Sequence, residues 1–152
     1  MSIKASKVGR DLHIEMEGVD GAFVIHPLPG RAGVQITDTY LSTYGGQAVD
    51  LLPALQMAVD GARQNALTGL WEPLPEAEQV NFNRIGNELS QEESEGIIMP
   101  AFFWQTVLGM DGVKAYIEGG EGLAGTLKAT GALSQRLGLL APRTSPKASA
   151  TA

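Results

Sequence analysis

Near residue 48 the hydrophobic period of the chain changes from two to between three and four, and that change sets the fold class. In DLHIEMEG, Leu12, Ile14 and Met16 alternate with His13, Glu15 and Glu17, the pattern of a half-buried strand. In AVDLLPALQMAVDGARQNAL, from Ala48 onward, Leu52, Leu55, Val59 and Ala62 recur at spacings of three and four, the stripe of an amphipathic helix. The expectation is an α+β protein in which a small antiparallel β element at the N-terminus packs on a cluster of three to five short helices. The expected limits are a flexible N-terminus at 1–7, a β-rich element at 8–45, a helical domain at 46–139 and a disordered tail at 140–152.

Within the β-rich part, Val19-Asp20-Gly21 has turn chemistry and AFVIH (22–26) is β-prone, so the two runs read as a hairpin. PLPGRAG interrupts it, because its prolines lack a donor and its glycines tolerate turn dihedrals. GVQIT reads as a third strand with Val34 and Ile36 on one side, and TDTYLSTYGG as either a fourth strand or a loop.

The helical part carries sharper punctuation. Asp50 is placed to cap a helix whose first turn holds Pro53, where the missing N–H costs nothing. GLWEPLPEAEQV, with its two prolines, reads as a connector pinned to the core by Trp71. Ser90 and Glu93 form a capping-box pair preceded by Leu89 as a staple, and Glu92, Glu93 and Glu95 suit the positive end of a helix dipole. Pro100 is expected to kink or end that helix near Met99, with helix resuming through Phe103, Val107 and Leu108. Gly109 and Gly112 bend the chain before a short helix in VKAYIEGG, which Gly119-Gly120 stops. A weaker Gly-rich helix runs from about Glu121 to Leu137 with Leu123, Leu127, Leu133 and Leu137 as its apolar positions, and APRTSPKASATA has the composition of a disordered tail.

Composition removes several functions. With no cysteine, disulfides, thiolate metal sites and Cys nucleophiles are excluded. The net charge of −6 divides into −10 over residues 1–122 and +4 beyond, an acidic body that disfavours nucleic acid. MSIKASKVGRDL has three bases but no apolar h-region, so the expected location is the cytoplasm.

EGIIMPAFFWQTVLG (95–109) concentrates the large apolar side chains. Its 12 predominantly apolar residues from Ile97 to Leu108 fall short of the roughly 20 that span a bilayer, so core or partner surface remain. Phe102, Phe103 and Trp104 are consecutive and cannot all face one core, so one of them should point outward unless another layer covers it. These three, with Ile97 and Ile98, are the candidate partner-binding residues.

No catalytic constellation is visible, and no cofactor or metal is expected. His13 and His26 lie on adjacent strands, with only Glu15 or Glu17 as a further ligand, and read as solvent-facing. Asp11 with Glu15, and Glu92 with Glu95, read as solvated charges. GGEGLAGTLKATG is Gly-rich but lacks the phosphate-loop spacing, and Ser42, Ser90 and Ser94 have no nucleophile elbow and no nearby His.

The run NRIGNELSQEESEGIIMPAFFWQTVLGMDGVKAYIEGGEGLAGTLKATGALSQRLG, from Asn83 to Gly138, combines an acidic helix start, an aromatic-centred helix, a double glycine and a Leu/Ala-rich helix. In this it resembles the tail assembly chaperones of long-tailed phages that infect actinobacteria. The resemblance implies a protein of the infected host's cytoplasm, absent from the mature virion. Its implied role is to keep the tape-measure protein soluble while the tail-tube protein polymerises around it. It also implies a second, longer product made by a −1 ribosomal slip, a frameshift-extended partner of the short form. Ser145-Pro146-Lys147 can be encoded TCC-CCA-AAG, which contains a slippery heptamer and makes Pro146 and Lys147 the candidate junction. The alternative is a structural tail or head–tail connector subunit that assembles through its β-rich N-terminus.

Overall fold

A two-residue turn starts the fold. The computed structural model describes residues 2–140, and in it Gly9-Arg10 joins β1 (Ile3–Val8) to β2 (Asp11–Met16), with Val8 opposite Asp11 and Ile3 opposite Met16. Gly9 takes φ +62° at the first central position, as a tight two-residue hairpin requires. β3 (Phe23–Ile25) pairs antiparallel with the other edge of β2, giving the order β1-β2-β3. Leu12, Ile14, Met16, Phe23 and Ile25 are all buried on the inner face. The hairpin expected from DLHIEM and AFVIH is therefore present, whereas residues 3–7, expected to be flexible, form the outer strand.

The chain then turns helical earlier than its sequence period indicates. GVQIT is no strand: α1 spans Gly30–Tyr44 and takes in the segment expected to be strand or loop. Val34 is 61% exposed while Ile36 is buried, so the two do not share a face. Ala32, Gly33, Ile36, Thr37 and Tyr40 form the buried side at helical spacing. α2 (Leu52–Asp60) carries Pro53 in its first turn, and Asp50 Oδ1 accepts from the Leu52 N–H at 3.0 Å. Its core face is Ala54, Met57, Ala58 and Val59, and Leu52 is exposed. Gly61, at φ +103°, ends it short of the expected Leu67. Two short strands follow, β4 (Ala62–Gln64) and β5 (Trp71–Pro73), then a single 3-10 turn at Glu76–Glu78.

The last four helices are α3 (Val80–Glu88), α4 (Gln91–Trp104), α5 (Met110–Glu118) and α6 (Gly122–Leu140), making six among the described residues. The capping box holds at α4: Ser90 Oγ accepts from the Glu93 N–H at 3.1 Å, and Glu93 Oε1 accepts from the Ser90 N–H at 2.8 Å. Pro100 neither ends nor divides α4, which runs unbroken to Trp104. Helix does not resume at once, because Gln105–Gly109 is a turn whose Gly109, at φ +56°, precedes α5.

α4 lies at the centre, in contact with α2, α3, α5, α6 and β2. A helix apolar on all sides needs neighbours on all sides, and this position satisfies that need. Neutral side chains tie the short elements together. Gln35 grips β5 in both directions, donating to the Trp71 carbonyl (2.8 Å) and accepting from its N–H (2.9 Å). Gln105 accepts from the Leu28 N–H and donates to the carbonyls of His26 and Ala58, each at 2.9 Å. Asn81 Nδ2 donates to the carbonyls of Val24 and Val59, both at 2.8 Å. Among the described residues no helix is long and apolar enough to cross a membrane. Residues 141–152 of the expected tail, with Pro146 and Lys147, lie outside the described residues.

Candidate functional site

Of the five residues expected to meet a partner, four are interior and one is half-buried. Phe102 and Phe103 have no exposed surface, Trp104 is 8% exposed, Ile97 is buried and Ile98 is half-buried against the core. No aromatic of the three faces outward, because a covering layer that includes α1 and α6 is present. Tyr40 of α1 packs tilted against Phe102 (4.8 Å between centroids) and edge to face against Phe103 (5.8 Å), and those two rings also meet edge to face at 5.4 Å. Tyr40 Oη lies 2.7 Å from Thr130 Oγ1 on α6, whose own proton goes to the Thr126 carbonyl. Burial holds the Tyr40 phenol far above its ordinary range, against the opposing bond to Thr130, with Tyr44 raising it further.

What remains accessible is a groove above this cluster. It has a volume of about 300 Å³, and its walls are α1, the turn after α4 and the C-terminal part of α6. Val34, Val107 (44% exposed) and half-buried Leu137 give it an apolar lining, and Asp38 stands at its rim. Gly33 brings α1 against the turn: a Cβ there would stand 2.8 Å from the Gln105 carbonyl. A Cβ at Gly30 would meet nothing within 4 Å, so that end of the groove is open. Such a slot accepts the branched or aromatic side chains of a helix laid across it.

A second cleft, of about 410 Å³, mixes apolar residues with polar ones, of which His26, Asp60, Asn81 and Arg84 are already engaged. Asp60 caps α3 across the fold, accepting from the N–H groups of Asn81 and Phe82 at 2.7 Å each. Desolvation raises its carboxyl above the ordinary aspartate value, with those two bonds acting in the opposite direction. Arg84 lies over the Phe23 ring (3.9 Å) and donates to the carbonyls of Asp20, Gly21 and Ala22. His26 Nδ1 is 2.8 Å from Asp11 Oδ1. These contacts hold the β2–β3 hairpin onto α3 and leave no free pair for acid–base work. No group of three metal-binding side chains exists, around His13 and His26 or elsewhere, among the described residues.

Sequence reasoning missed Val34, Val107 and Leu137 because they come from segments 30 to 103 residues apart. Of the three, Val34 is the one that a correct helical reading of α1 would place outside; Val107 lies in the turn after α4 and Leu137 is half-buried on α6. The sequence matches no family model, no curated protein and no solved structure.

Proposed function

We propose that this chain is a non-catalytic tail assembly chaperone that binds apolar helical segments of a tape-measure protein and keeps them soluble while the tail tube grows. In this reading it works in the cytoplasm of the infected host, does not persist in the virion, and is accompanied by a frameshift-extended form. The observation that carries the reading is the preformed apolar groove of Val34, Val107 and Leu137 over a tightly packed aromatic core. The resemblance of residues 83–138 to that family supports it from the sequence side.

Co-expression with the tape-measure protein tests this. Wild-type chain should raise the soluble tape measure severalfold, and Val34→Asp/Val107→Asp should abolish the gain. Both positions are exposed, so the variant's unfolding midpoint should stay near wild type. No gain with the wild-type chain counts against the chaperone role. A second reading, a structural tail or connector subunit, draws on the outer strand β1, which has a sheet neighbour on one side only. Its mark would be the chain in purified virions in many copies.

A further inference from the structure

The N-terminal part of α6 leaves an apolar face uncovered. Leu123 is 71% and Leu127 53% exposed, one turn apart, with exposed Ala124 between them. Directly before this pair, α5 closes in a Schellman turn: Gly120 N–H donates to the Ile117 carbonyl at 3.1 Å and Glu121 N–H to that of Tyr116 at 3.0 Å. Glu121 takes φ +57°, the one non-glycine residue at positive φ among the described residues, between Gly120 and Gly122. A left-handed glutamate costs backbone energy that glycine avoids, so its charge stands there at the expense of stability.

Glu121 shares a notch of about 220 Å³ with Glu92 and Glu95 of α4. None of the three carboxylates makes a side-chain hydrogen bond or ion pair among the described residues. Beneath them Tyr116 is fully buried; desolvation raises its phenol, the Gly122 N–H opposes this, and the fields of Glu95 and Glu121 raise it further. The two uncovered leucines thus follow Glu121 within six residues of the chain, with exposed Lys128 beside Leu127, and the three carboxylates belong to a body of charge −10 over residues 1–122.

We propose that this corner docks a basic amphipathic helix of a partner protein, with apolar side chains on Leu123 and Leu127 and Lys or Arg side chains on Glu92, Glu95 and Glu121. Anionic lipid is disfavoured by the same carboxylates. The proposal rests on the binding role proposed above and adds to it a second surface and the chemistry of the segment that fills it.

The probe is a fluorescein-labelled 20-residue amphipathic peptide of Leu, Ala and Lys, titrated by anisotropy with the full chain, beside a counterpart with Glu for every Lys. The basic peptide should saturate and weaken with salt, and the acidic one should not bind. Leu123→Ser/Leu127→Ser and Glu92→Gln/Glu95→Gln/Glu121→Gln should each weaken binding at least tenfold, whereas Glu76→Gln/Glu78→Gln should leave it unchanged. Glu121→Gly should raise the unfolding midpoint while weakening binding, which separates loss of contact from loss of fold. Equal binding of both peptides, equal loss in the Glu76/Glu78 control, or unaltered affinity in the leucine variant overturns the proposal. So does self-association without peptide that the leucine variant abolishes, since that assigns the face to a second copy. Tape-measure solubility that survives every corner variant removes this surface and leaves the chaperone reading standing. Tight peptide binding without any tape-measure effect does the reverse.

Discussion

At Gly125 the helices α5 and α6 come so close that a Cβ would stand 2.2 Å from the Tyr116 carbonyl oxygen. Main chain cannot yield as a flexible side-chain tip can, so Gly125→Ala should destabilise the fold by about 1–3 kcal/mol, read from urea unfolding. In the sequence this glycine belongs to GGEGLAGTLKATG, where spacing excluded a phosphate loop without indicating what the glycines were for. Their purpose became visible only once Tyr116 stood opposite, because a close approach is a property of two segments. The same holds for Gly33 against Gln105.

Among the elements, those with local punctuation were readable and those defined by distant neighbours were not. Ser90 and Glu93 announce the start of α4 within four residues, and Gly119-Gly120 the end of α5. α1 was obscured by its glycines, threonines and β-branched residues, which favour turns or strands in isolation and become helical here because Ile36 and Tyr40 reach the core together. β1 was hidden by its weak alternation, since only Ile3 is buried and half-buried Ala5 is its next inward residue. Capping and clamping should also differ in cost. Ser90→Ala removes one exposed cap and should cost about 1 kcal/mol. Gln105→Ala leaves the Leu28 N–H and two carbonyls without their partner, for about 2–3 kcal/mol. Thermal unfolding of the two variants side by side checks the ranking.

For the whole molecule, the α+β class followed from the period change, yet the groove did not, since its walls are assembled only by the tertiary fold. The buried tyrosines give the intact protein a pH signature. Tyr40 and Tyr116 ionise near their ordinary value of 10.0 when unfolded and higher when folded. Above that value the folded chain holds more protons than the unfolded one, so stability present below pH 10 falls as pH rises past it. Alkaline unfolding should begin there by circular dichroism, and Tyr40→Phe should move its onset to higher pH.

Gln35, Asn81 and Gln105 take hold of main-chain atoms, and every residue type offers the same carbonyl. The clamps themselves therefore set no side chain at the positions they grip, and at Ala58 and Val59 it is core packing that does. At Leu28 and Trp71, where the N–H itself is held, proline is the one replacement the clamp forbids. A protein built this way can change its exposed side chains while the amides that join its elements stay the same.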